Sequence, residues 1–259
     1  MILKRVLVVF CLFFICFNLN SQSVFTYNAK KDIVIGTMAG IIFGVPFFLN
    51  NEPENIPTGL NKDNINGFDR TFMFSYNKPL DITSDIIVYG LLALPIFSLS
   101  GNFRNKDAWL TYGIMYTESV LLVYGTCETL KKSIVRYRPY CYSGDIPSGL
   151  ENDYYKSFPS RHTVFAFMSA GFLTATFFAE HPESSWKIPI MIGSYALASG
   201  VAAFRISSGV HFLTDVLAGA SIGSLYGWII PMLHKKQGSE NNMAIHFVGN
   251  GIIATLKIF

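Results

Sequence analysis

The chain has 259 residues, of which 51% are hydrophobic and only 14% charged, and its mean hydropathy is +0.36. That excludes an ordinary water-soluble domain, in which about 25% of residues are charged. A formal net charge of +3 is too small to point to nucleic acid, and no nucleic-acid-binding module is visible.

Lys4 and Arg5 precede an apolar run over 6–17, and polar residues including Ser21 and Ser23 follow. Residues 1–22 read as a bacterial secretory signal or as an anchor that stays attached. Cys16 lacks the small residues expected before a lipoprotein cysteine. Further apolar runs cover 32–49, 82–99, 108–128, 162–180, 188–204 and 212–232. Each approaches the roughly 20 residues that span a bilayer as a helix. Gly36, Gly40, Gly44 and Pro46 weaken the first of these, which is expected either to span or to lie at the interface. Small residues such as Gly193, Ala198, Gly219 and Gly223 suit close helix packing in lipid. The expected fold class is all-α, a multi-spanning transmembrane helical bundle.

The connections carry the remaining signals. Residues 50–80 are polar and contain Phe68-Asp69-Arg70, either a cover for a site or a plain connector. Glu118 is an intramembrane acid and needs a polar partner, such as a loop cation. Glu128 is placed to pair with Lys131 or Lys132 along the helix. Cys127 reads as a buried thiol. Tyr140, Tyr142, Tyr154, Tyr155 and Phe158 read as an interfacial aromatic belt. His181, His234 and His246 fall outside any motif and read as surface residues. The tail 237–259 alternates loosely around Gly249-Asn250-Gly251, a hairpin signal that gives a short β-like end.

Three short blocks sit at edges of the apolar runs. In the first, Lys131 and Arg138 are seven positions apart, close to two helical turns, so a helix ending at Arg138-Pro139 would put both cations on one face. Arg holds two phosphate oxygens in a planar fork and Lys acts as a point charge. In the second, Pro159-Ser160 precedes an apolar helix, with Ser160 as N-cap and His162 in the first turn, where free backbone N–H groups suit an anion. In the third, His211 and Asp215 are four apart on one helix face, so the carboxylate can fix the ring's tautomer and aim its other nitrogen outward. Arg205 lies just before. Singly, each block also has a plain structural reading: membrane-edge charge, a helix cap, a satisfied polar pair. Jointly they gather cations, a helix start and two histidines, which is what metal-free phosphate-ester hydrolysis requires.

In order, spacing and residue type the blocks resemble the signatures of the type-2 phosphatidic acid phosphatase / haloperoxidase superfamily. The resemblance covers roughly residues 80–235 and implies a helical catalytic core over 81–236, preceded by an apolar segment plus polar loop over 23–80. It implies an active site at one membrane face, with His211 as nucleophile, Asp215 orienting it and His162 as general acid. It implies Lys131, Arg138 and Arg205 as phosphate ligands, completed by Ser160 and the Arg161 backbone amide, with no metal and no cofactor. The substrate implied is a phosphorylated lipid met in the bilayer, with no obligate protein partner. Arg161 stands where the family most often has Gly, and Phe204 where it usually has Ser. The Arg161 cation reads as tuning toward a strongly anionic substrate or as surface charge. The expected activity is a membrane phosphatase acting on a lipid phosphomonoester or pyrophosphate through phospho-histidine. A secreted soluble acid phosphatase of the same superfamily is the alternative. Loop charges place the protein in a bacterial inner membrane with the site facing the periplasm. A translocated signal followed by a spanning 32–49 would reverse that orientation, so the N-terminal route stays open.

Overall fold

The computed structural model describes residues 24–53, 59–99, 106–143 and 146–236, together with the backbone of 243–248 and 251–256. The signal or anchor expected over 1–22 lies outside the described residues. Among the described residues, seven helices follow in order: α1 (Ala29–Gly44), α2 (Gly67–Thr71), α3 (Lys78–Ala93), α4 (Lys106–Ser133), α5 (Arg161–Glu180), α6 (Lys187–Ser207) and α7 (Leu213–His234). The first three start on asparagine caps. Asn28, Asn66 and Asn77 accept from the backbone N–H groups of Lys31, Asp69 and Leu80. Ala29–Phe48, Lys78–Ile96, Arg161–Glu180, Lys187–Ser207 and Leu213–His234 are each long and apolar enough to cross a bilayer. Ile33, Ile41, Ile86, Ile192 and Leu225 point outward from these segments, an apolar surface suited to lipid. The chain is a multi-pass membrane protein.

The stretch over 32–49 is part of a full-length element: α1 continues into a 3-10 turn over Val45–Phe48 and packs along α4. Its glycines do not break it because neighbouring helices compensate for their low propensity. The two helices meet closely at Gly125 of α4, where a Cβ would overlap the backbone of Ile42 and Phe43 of α1.

α5 is the central helix, buried along most of its length, and α7 is its closest neighbour. The contact is a ladder of glycines four residues apart. A Cβ on Gly219, Gly223 or Gly227 would run into the backbone carbonyls of Ser160, Val164 and Met168 respectively. Small residues at this spacing let two backbones approach within a membrane. The ladder fixes α5 and α7 in register, and these helices carry the second and third sequence blocks at the same end.

At the opposite end, Thr26 donates to the carbonyl of His234 at 3.0 Å. His234 is wholly buried, with Nε2 3.1 Å from Asp32 and 3.4 Å from Glu118. Three sequence expectations are corrected here. His234 is an inter-helix residue and not a surface one, and Glu118 faces Asp32 and His234 instead of a loop cation. His181 is also buried, its ring 4.6 Å from that of Phe177. Both histidines fall at a helix end where chain segments converge, and sequence spacing does not register that burial.

The tyrosines of 140–155 do not form a belt. Tyr140, Tyr154 and Tyr155 are buried and pack with Val210, Tyr154 lying edge-on to Tyr155 at 5.1 Å. They are the core of the loop layer that roofs the helix ends. Cys127 and Cys141 are free, buried thiols. In the tail, β1 (Met243–Val248) pairs antiparallel with β2 (Gly251–Leu256), Val248 opposite Gly251, the register that the Gly-Asn-Gly signal predicts.

Candidate active site

The three blocks converge, though the first does so by a route other than the expected one. α4 ends at Ser133, so Lys131 and Arg138 do not share a helix face. After Ile134-Val135 the chain runs strand-like beside 154–157. Arg136 donates to Tyr155 at 3.1 Å, Arg138 to Tyr154 at 2.8 Å and Ser157 back to Arg136 at 3.0 Å. Two β-branched residues followed shortly by a proline favour this extended path over another helical turn. Lys131 and Arg138 are both buried. Lys131 donates to the carbonyl of Lys156 at 2.6 Å, and Arg138 Nε to that of Asp153 at 2.8 Å.

Ser160 occupies the N-cap position of α5 but makes no side-chain cap. Its hydroxyl accepts from Thr163 at 3.0 Å, and its backbone N–H donates to the Asp215 carbonyl at 3.1 Å. The first turn of α5 therefore has no side-chain oxygen on its N–H groups, which leaves a positive helix end. Arg161 pairs with Glu128 at 3.0 Å; Glu128 thus serves the second block and not the lysines of its own helix. His162 Nε2 lies 2.7 Å from Asp85 Oδ1.

Between α6 and α7 the chain turns sharply through Gly209, at φ +70°, where a Cβ would also overlap the backbone of Phe74 and Ser75. Only glycine meets both demands. The turn sets His211, 1% exposed, beside Asp215, with Nδ1 3.5 Å from Oδ2. Asp215 is itself saturated. It accepts from Ser157 Oγ at 2.5 Å and from the Phe212 N–H at 2.8 Å, and it is paired with Arg136. Arg205, buried at the end of α6, pairs with Asp81 and donates to Ser84 at 3.0 Å.

One cavity of about 270 Å³ is lined by His162, His211, Lys131, Arg138, Arg161 and Arg205, with Asp81, Asp85 and Glu128 among the acids beside them. Of the eight sequence-predicted site residues, Ser160 and Asp215 lie behind this lining and the other six are on it. Burial pushes the His211 pKa well below its ordinary value, and the charges of Arg138, Arg205 and Lys131 push it the same way. His211 is therefore neutral at physiological pH. In an NMR titration its ring carbons should hold their neutral-form shifts as pH falls through 6.5 and change only well below it. A midpoint at or above 6.5 would contradict this electrostatic reading.

Sequence reasoning missed Arg136 and its partner Asp69. Arg136 Nη2 lies 2.5 Å from Asp69 Oδ2, while its other arm reaches Asp215 and Thr214. The Arg136 guanidinium also covers the Phe212 ring at 4.5 Å. Asp69, fully buried, accepts from Thr214 N and Oγ1 at 2.9 and 2.7 Å and from Asn66 at 2.7 Å. Burial raises its pKa, but the hydrogen bonds from Thr214, Asn66 and Arg136 outweigh that and hold it below the ordinary value. The connector over 50–80 thus reaches the site through a structural carboxylate. No spacing rule joins residue 69 to 136. Asp81-x3-Asp85, two acids on one face at the start of an apolar run, was a readable signal.

The part of the chain that carries these residues is similar to known proteins. Residues 112–239 match the model of the PAP2 superfamily. The bacitracin transport permease protein BcrC of Bacillus licheniformis is 36% identical over 101 residues, 38% of this chain and 45% of that one. The probable diacylglycerol pyrophosphate phosphatase 1 of Schizosaccharomyces pombe is 32% identical over 157 residues, 50% of this chain and 56% of that one. The chain thus spans about half the length of these two relatives. Phosphatidylglycerophosphatase B of Bacillus subtilis is 30% identical over 152 residues, 56% of this chain and 68% of that one. The crystal structure of a transmembrane PAP2-type phosphatidylglycerolphosphate phosphatase from Bacillus subtilis aligns at a TM-score of 0.45 and 23% identity, covering 77% of this chain and 94% of that one. With a relative matched over two thirds of its length, and a family match that spans both helices of the glycine ladder, the chain belongs to the PAP2 superfamily.

Proposed function

We propose that the protein is a membrane phosphatase that removes phosphate from a lipid phosphomonoester or pyrophosphate through a phospho-histidine, without a metal ion. One observation carries the reading: a buried, neutral imidazole, His211, shares a cavity with Lys131, Arg138 and Arg205. Asp215 faces Nδ1, so Nε2 is the nucleophile. Its lone pair forms the N–P bond while the P–O bond to the lipid breaks, and His162 gives a proton to the departing oxygen. Water then attacks phosphorus, gives a proton back to His162, and frees His211. The three cations and the Arg161 amide at the start of α5 hold the charge spread over the equatorial oxygens. This fixed positive charge does the work a metal does in other phosphatases.

A cavity at one end of a membrane bundle meets lipids by lateral diffusion, which favours a lipid substrate. The activities for which two relatives are named, on phosphatidylglycerophosphate and diacylglycerol pyrophosphate, point the same way. In our reading the protein sits in a bacterial inner membrane with the site on the periplasmic face.

The experiment is phosphate release by purified protein in detergent and EDTA, over phosphatidic acid, phosphatidylglycerol phosphate, polyprenyl pyrophosphate and lipid A phosphates. Release from a lipid class, unchanged by EDTA and inhibited by vanadate, is expected. Strong chelator sensitivity would sink the metal-free mechanism. Activity confined to small soluble esters would sink the lipid assignment.

A further inference from the structure

We propose that Asp85 is a positioning residue for His162, holding one ring nitrogen so that the other delivers a proton to the leaving oxygen. The inference rests on the phosphatase reading above. Asp85 belongs to α3 and lies ahead of the region matched to the family.

Two histidines share the cavity, and their carboxylates treat them differently. Asp215 stands 3.5 Å from His211, and its oxygens are already engaged by Arg136, Ser157 and the Phe212 amide. Asp85 instead sits at hydrogen-bond distance, 2.7 Å, from His162 Nε2. Its side chain is 43% exposed and lines the cavity, so its charge acts directly on that ring. A carboxylate in contact with one nitrogen stabilises the imidazolium, the form that can act as an acid.

Arg205 does not account for Asp85. Its guanidinium is already held by Asp81 and Ser84, and Asp85 is farther away, at 3.7 Å. Asp81 and Ser84 anchor the start of α3 and so fix where Asp85 stands, one turn on. With Nε2–H given to Asp85, Nδ1–H is the proton that passes to the leaving oxygen as the P–O bond breaks. His162 is then neutral, keeps its Nε2 proton toward Asp85, and can take a proton at Nδ1 from the attacking water.

The test is Asp85→Asn in the full-length protein, read as kcat/KM on short-chain phosphatidic acid and on 4-nitrophenyl phosphate. The alkyl leaving group needs a proton and the nitrophenolate does not. A loss of about 10-fold or more on the alkyl ester, against less than about 3-fold on the aryl ester, is expected. Asp85→Glu should recover part of the alkyl rate, and His162→Ala should show the same selectivity more strongly. Equal losses on both esters, or a change confined to KM, would overturn the proposal and return Asp85 to phosphate binding through Arg205. The parent reading is judged separately: His211→Ala must lose both reactions whatever Asp85→Asn does.

Discussion

His211→Ala should bring phosphate release to background on every lipid and abolish acid-labile phosphate on the protein. Loss of a covalent nucleophile costs on the order of 10⁶-fold in hydrolases where it has been isolated. His211 shares its cavity with cations that the substitution leaves in place, so binding and chemistry should separate. Vanadate should still bind through Lys131, Arg138 and Arg205 while turnover vanishes. The ring is 1% exposed beside the site cavity, so the alanine also enlarges that cavity, and thermal unfolding in detergent should shift down. Turnover that survives the substitution would place the chemistry elsewhere in the molecule.

Arg136→Ala is the second large effect, and it combines stability with rate. The arginine side chain is 23% exposed, but both carboxylates it joins, Asp69 and Asp215, are wholly buried. Removing the shared cation leaves two uncompensated buried charges, which costs about 3–5 kcal/mol. It also frees the carboxylate that backs His211, and loss of such a supporting contact lowers activity by about 10–100-fold. A double variant separates the two effects. Asp69→Asn in the Arg136→Ala background removes one orphaned charge and should restore part of the stability. It should restore none of the rate, because Asp215 still lacks its partner. A double variant that recovers activity in parallel with stability would show that Arg136 acts only through the fold.

The helical class, the membrane character and the convergence of the blocks were legible in the sequence because each rests on local pattern: apolar run length, a histidine and aspartate four apart, a serine before a helix. The path of the first block was not. The seven-residue spacing of Lys131 and Arg138 fits a helix face, yet the chain leaves the helix at Ser133 and brings Arg138 back along a strand-like pairing with Tyr154. The partners of the cations were harder still. Asp69, Asp81 and Asp85 come from a connector and a helix that precede all three blocks. Only the packing of α3 against α6 and of the 66–71 segment against α7 makes them neighbours. The tyrosines misled for the same reason. Composition places aromatics at a membrane edge and cannot say whether they face lipid or one another.

α1 also bears on how the protein's orientation can be established. It runs the length of the bundle, so Val24–Tyr27 and His234–Lys236 meet at one end while His211 and Asp215 sit at the other. α7 alone, at 22 residues, separates the two by about 33 Å. A reporter fused beyond Lys236 therefore answers for the catalytic face by exclusion: if it lights up in the cytoplasm, phosphate is released outside the cell membrane, and if it is active outside, phosphate is released into the cytosol.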